Sequence, residues 1–398
     1  MPNFLRRFWG HVVLFGISKS SVLFAPFLAA GLLSNNQYGA LEWWLSLSMT
    51  LGPLMTLGAH GVVAYGALGG IFAPYIKAAV IYVVSVCSFA LFLVLLLPVL
   101  GFDWKAYFFG VVLLQSTMIV LQLALSAHLK GVGKGAWASV AESTLYIALL
   151  LSLLLTVVGV DFVFGFMLVM VVLEIFMLWL LIKLSALSGI NDWFYQDYKK
   201  LFSFSHKFLI SGTLMGAFMA GPRLLMGVFA DPAVVGSFSI AFRWLSIAIV
   251  IHQFVNTFFF RRIYGVDSTK RKFAILGCVG LVAFFSVAIA LTLSSRSIRM
   301  IRVPLPEPND IWLVWSMGGV MVLWSTSACL EGVLNSAGRV MSQTVAVTLG
   351  LVVFLMIFSC FYFLGEDNTK VSLTIAWVAG FIGMIIAQLM FLFRSKFA

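Results

Sequence analysis

Charge is scarce in this chain. Only 10% of its residues are charged against 62% hydrophobic, and acid is the rarer sign, with 14 Asp and Glu beside 25 Lys and Arg. Soluble domains carry roughly 25% charged residues, so a water-exposed globule is excluded. A mean hydropathy of +1.08 puts the 398 residues in a membrane. Regular alternation of apolar and polar residues is also missing, which excludes a transmembrane barrel. In its place stand continuous apolar runs, such as 78–97 and 273–293, each long enough to cross as a helix. Twelve spans of about 22 residues occupy about 264 residues and leave only short connections, with no room for a soluble catalytic domain.

Cysteine is sparse too. Cys87, Cys278, Cys329 and Cys360 all fall inside apolar runs, with no CxxC spacing and no His beside them in sequence. They read as packing residues, and no metal site is expected. Nucleophile elbows, HExxH and phosphate loops are absent, so no catalytic residues are assigned. Behind Arg6 and Arg7 the first apolar stretch has no small-residue cleavage site and reads as an uncleaved helix.

The expected spans are 11–33, 39–65, 75–97, 106–129, 136–158, 162–183, 205–229, 235–260, 273–294, 310–335, 340–364 and 371–393. Of the basic residues in the connections and tails, 17 fall on the side of the amino terminus and five on the other. The positive-inside rule then places both termini in the cytoplasm, and the net charge of +11 is an orientation signal rather than a nucleic-acid footprint. The longest connection, 184–204, holds Trp193, Phe194, Tyr195, Lys199 and Lys200, a composition that suits a helix in the headgroup layer or a simple linker.

The chain also repeats. Leu129-Lys130-Gly131-Val132-Gly133-Lys134 matches Leu334-Asn335-Ser336-Ala337-Gly338-Arg339 at an offset of 205, and Tyr38-Gly39 matches Val235-Gly236 at 197. The domain organisation expected is therefore a six-helix lobe over 1–183, a cytoplasmic linker over 184–204 and a second six-helix lobe over 205–398, the plan of many transporters.

Seven charges lie within the spans: Lys19, Glu42, Glu142, Glu174, Arg223, Arg243 and Glu331. Such residues cost about 2.5–3.5 kcal/mol each on insertion scales and are kept where they face a cavity or a partner. By distance along their helices Glu42, Glu142 and Glu331 lie near span ends, whereas Lys19, Glu174 and Arg243 are deepest. Gly236, Ser239, Arg243, Ser246, Gln253 and Thr257 form one polar stripe at helical spacing, read as cavity lining or as interhelical hydrogen bonding. Gln115 and Gln122 share a face with Ser126. Glu174, Glu142, Glu331 and His252 are the candidates for ion coupling. Pro26, Pro53 and Pro222 interrupt spans and are candidate hinges.

With Lys19 on the first span, Leu32-Leu33-Ser34 leading to Gln37-Tyr38-Gly39, Leu57-Gly58, and the Gly133-Lys134 and Gly338-Arg339 turns, the chain resembles the polysaccharide-transporter family that includes the Wzx O-antigen flippases. The same superfamily holds multidrug and toxic-compound exporters and lipid II flippases. The resemblance implies a two-lobed flippase with a central cavity, moving an undecaprenyl-diphosphate-linked oligosaccharide from the cytoplasmic to the periplasmic leaflet of a bacterial inner membrane. It implies no cofactor beyond a proton or sodium gradient. It also implies a polysaccharide polymerase or chain-length machinery as partner, and no nucleic acid. Lys19, Arg223 and Arg243 would hold the diphosphate through charge-assisted hydrogen bonds. Two alternatives stand beside it. One is a drug or organic-cation exporter of the same fold, for which an acid rather than Lys19 is expected deep in the first helix. The other is a polytopic O-antigen polymerase or ligase, against which the short outer loop at about 295–309 argues.

Overall fold

The apolar runs do form helices, and among the described residues nothing forms a strand. A computed structural model of the chain describes residues 2–66, 75–96, 104–184, 195–264, 268–295, 304–307, 310–364 and 368–394. In chain order its helices are α1 (Pro2–Leu32), α2 (Asn35–Met55), α3 (Ala59–Gly66), α4 (Ile76–Leu96), α5 (Trp104–Gly131), α6 (Gly135–Val157), α7 (Phe162–Leu184), α8 (Tyr195–Phe229), α9 (Pro232–Tyr264), α10 (Ser268–Ser294), α11 (Ile311–Ser336), α12 (Val340–Phe363) and α13 (Thr369–Arg394). Among the described residues, 11 helices are long and apolar enough to cross a membrane. The expected all-α, polytopic class is what the chain adopts.

Two expectations need correction. The span at 39–65 is two helices, α2 and α3, separated by a turn in which Leu57 takes φ 46° and Gly58 φ 78°. A Cβ on Gly58 would fall 2.1 Å from the Ser205 carbonyl oxygen, so the close approach of α8 is possible only because that position has no side chain. The interfacial segment is not separate either: its part from Tyr195 onward is the start of α8, with Lys199 and Lys200 exposed. Trp193 and Phe194 lie outside the described residues, as do Arg296, Arg299 and Arg302 of the outer loop.

Contacts divide the chain into two compact units, Met1–Ala29 with Trp44–Gly216, and Ala30–Trp43 with Ala217–Ala398. The division falls within α1, α2 and α8, three residues beyond Pro26 in the first and six residues short of Pro222 in the last.

Each unit is built on the same plan. In the first, α3 meets α4 and α5, α4 meets α5, α5 meets α6 and α7, and α6 meets α7. The second repeats these pairings with α9 in place of α3 and α10 to α13 in place of α4 to α7. The repeat extends to single hydrogen bonds. Gly133 (φ 78°) donates to Lys130 O at 3.1 Å and Lys134 to Leu129 O at 2.7 Å; Gly338 (φ 73°) donates to Asn335 O at 3.0 Å and Arg339 to Leu334 O at 2.8 Å. Both are helix stops in which a left-handed glycine lets the last carbonyls be capped by the following amides. In the second unit Gly39 of α2 lies against its sequence counterpart: its Cβ position is 1.8 Å from Pro232 O and 3.2 Å from Gly236 N. The two helix starts touch backbone to backbone.

Candidate functional site

Within the second unit the charged centre is Glu42. It sits one helical turn after Tyr38 on α2, so the Tyr38 hydroxyl reaches its Oε1 at 3.1 Å. Arg243 of α9 donates from Nε to Oε1 and from Nη2 to Oε2, both at 3.0 Å. Arg223 of α8 donates from Nη1 to Oε2 at 3.1 Å and stacks its guanidinium 4.7 Å over the Phe242 ring. Each carboxylate oxygen thus accepts two hydrogen bonds, which fills the acceptor sites of an ionised Glu. Glu42 is 1% exposed, Arg223 4% and Arg243 7%. Two cations thus share one carboxylate.

The structure therefore brings Arg223 and Arg243 together and adds a partner for them. Glu42, read as lying just inside the outer membrane surface, is buried among the helices of this unit and is shared by both. Lys19 belongs to another cluster, in the first unit. Its Nζ lies 3.0 Å from Glu142 Oε2, and Lys130 bridges to the other oxygen. Here too two cations meet one carboxylate, joining α1, α5 and α6. Glu142, a candidate for ion coupling, is here the ion-pair partner of both lysines.

Glu174 differs from both. On α7 it is fully buried, and neither carboxyl oxygen has a hydrogen-bond partner. The nearby Thr117 hydroxyl donates instead to Leu113 O and Leu114 O at 3.1 and 3.0 Å. Glu331 on α11 is half-buried and has Asn335 one turn on, at 3.5 Å.

The remaining candidates are divided between the two units. Gln115 accepts from Ser48 at 3.1 Å, while its own amide nitrogen is buried without a partner. Gln122 sets its amide against the α6 backbone at Thr144 and Leu145. On α9, Ser239 is buried without a partner for its hydroxyl, Ser246 donates to Arg243 O at 2.7 Å, and Gln253 has an unpartnered Oε1. Pro26, Pro53 and Pro222 all lie inside helices.

One constellation escaped the sequence reading. His252 of α9, expected to couple ions, is met by Cys278 of α10 at 3.6 Å and Cys329 of α11 at 3.7 Å, both measured to Nδ1, and by the Ser325 hydroxyl at 3.2 Å. These positions lie 26 to 77 residues from His252, so no local spacing announces them.

Solved structures of similar architecture put this geometry in context. A MATE multidrug transporter, DinF-BH in complex with R6G, superposes with a TM-score of 0.67 at 14% identity, over 100% of this chain and 96% of its own. The fold is that of the MATE transporters. An outward-facing multidrug resistance MATE family transporter of the MOP superfamily gives a TM-score of 0.59 at 16% identity, over 96% of this chain and 93% of its own. An inward-facing form gives 0.55 at 15%, over 96% and 98%. No protein-family model matches the chain, and no curated protein matches it. The duplicated helix network fits the MATE-type fold.

Proposed function

We propose that the chain is a membrane exporter working by alternating access, and that its substrate class is drugs or organic cations. The observation that carries the reading is the fold, which is found in solved transporters in both outward-facing and inward-facing form. The division of the chain between its compact units close to Pro26 and Pro222 supports hinges there. The charge geometry supports the substrate class. Glu42 already occupies the Arg223–Arg243 pair, so an entering phosphate would have to displace a fully bonded carboxylate. Glu174, in contrast, is a buried acid with no hydrogen-bond partner and suits exchange of a proton for a cation.

A second reading, a flippase for undecaprenyl-diphosphate-linked oligosaccharide in a bacterial inner membrane with a polymerase or chain-length partner, is favoured by one observation. In each ion cluster, the buried one at Glu42 and the part-buried one at Glu142, two cations share one carboxylate. Cations grouped in this way suit an anionic lipid head. Deletion and overexpression separate the two. Under the first reading, overexpression in an efflux-deficient bacterium raises resistance to cationic dyes, and Glu174→Gln abolishes the gain. Under the second, deletion in the native host removes surface polysaccharide, Arg243→Ala fails to restore it, and dye resistance is unchanged.

A further inference from the structure

We propose that His252, Cys278 and Cys329 form a zinc(II) site that clamps α9, α10 and α11 of the second unit. All three residues are buried, and their ligand atoms lie within 4.8 Å of one another. They come from the carboxyl-terminal part of α9, the amino-terminal part of α10 and the carboxyl-terminal part of α11, which meet at one end of the bundle because successive helices run antiparallel.

The distances are those of ligands around one ion. A nitrogen about 2.05 Å and a sulfur about 2.3 Å from a tetrahedral zinc lie about 3.6 Å apart, and the two nitrogen–sulfur separations here are 3.6 and 3.7 Å. Hydrogen bonding explains the convergence less well. A neutral imidazole has one acceptor nitrogen with one lone pair, yet two thiols and the Ser325 hydroxyl all approach the same Nδ1. Only one of the three can donate to it; a metal accepts that lone pair and binds the two sulfurs as well. Ser325, 3.2 Å from Nδ1, stands beside the fourth position.

An independent observation lies next to the cluster. A small cavity reaches His252, Cys278 and Cys329 and is also lined by Asn256 and Ala274. Asn256 is one turn beyond His252 on α9, and its Oδ1 is buried without a hydrogen-bond partner. It is placed to orient a ligand water or the histidine ring, as residues around metal ligands do.

Charge selects the ion. Thiolate and imidazole donors favour zinc(II) or copper(I) over harder cations. Binding releases both thiol protons to solvent and involves no change of oxidation state. Two thiolates and zinc(II) sum to zero, the least costly total in an apolar bundle, whereas copper(I) would leave a net negative charge. The site lies wholly within one unit, so the inference stands whichever substrate the protein moves.

The test uses the purified full-length chain in detergent, reduced, stripped with a chelator and titrated with zinc(II) or cobalt(II). One zinc per chain is expected by elemental analysis, with thiolate-to-cobalt charge-transfer bands in the cobalt form. Cys278→Ser and Cys329→Ser should each weaken binding by at least about tenfold and remove those bands, while Cys87→Ser and Cys360→Ser leave both intact. In the unsubstituted protein, zinc should shield Cys278 and Cys329, but not the exposed Cys360, from alkylation. Less than one equivalent bound, equal binding in the serine variants, or unshielded thiols would each overturn the proposal.

Discussion

Arg243 holds Glu42 through two parallel hydrogen bonds, Nε to Oε1 and Nη2 to Oε2, both at 3.0 Å. Arg223 adds a single one at 3.1 Å. A lysine has a point charge and no planar fork, so Arg243→Lys forfeits one charge-assisted bond outright and should cost about 1.5–3 kcal/mol. Arg223→Lys retains a single contact and should cost less. Thermal unfolding of both variants in one detergent checks the order.

Removing the acid is worse than altering either base. Glu42→Gln takes away the carboxylate that two buried guanidinium groups, 4% and 7% exposed, share. Breaking a buried pair from one side costs about 3–5 kcal/mol. Adding Arg223→Gln to Glu42→Gln should recover part of that loss, because one of the two buried charges that shared the carboxylate goes with it. A double-mutant cycle on melting temperature measures the coupling.

Two glycines make a steric contrast. A Cβ at Gly39 would stand 1.8 Å from Pro232 O, backbone that cannot turn aside, whereas one at Gly133 meets nothing within 4 Å and suffers only from φ 78°. Gly133→Ala should cost about 1–2 kcal/mol. Gly39→Ala should cost more and lower the yield of folded protein, as read by fluorescence-detected size exclusion.

Glu174→Gln keeps the shape and removes the titrating proton. No ion pair or hydrogen bond to Glu174 is lost, so stability should hold or rise. If Glu174 carries the coupling proton, transport driven by a pH gradient should fall to background in reconstituted vesicles. Equal stability with undiminished gradient-driven transport would remove it from the coupling role.

The spans were legible because a continuous apolar run of helical length has only one stable form in lipid. What broke that reading was local and polar. The α2–α3 break at Leu57 and Gly58 hides in an apolar stretch, and the Ser205 backbone that packs against Gly58 lies more than a hundred residues away. α8 begins at Tyr195 rather than at 205, because its first turns are polar and carry no apolar-run signal. The repeat at Gly133 and Gly338 was visible because the stop needs a left-handed residue whatever surrounds it. Charge pairing was not visible. Depth along a helix places Glu42 near a span end but carries no information on its partners, which come from α8 and α9, roughly 180 and 200 residues on. The His252–Cys278–Cys329 constellation was hidden for the same reason: three helices assemble it, and none of them carries a motif.

The most direct measurement is movement of a fluorescent organic cation across vesicles that contain only this protein and lipid, with the proton gradient imposed and then collapsed by an ionophore. The account expects gradient-dependent dye movement above protein-free vesicles, lost in Glu174→Gln. Dye movement no faster than in protein-free vesicles, while a diphosphate-linked lipid changes leaflet in the same preparation, would contradict it.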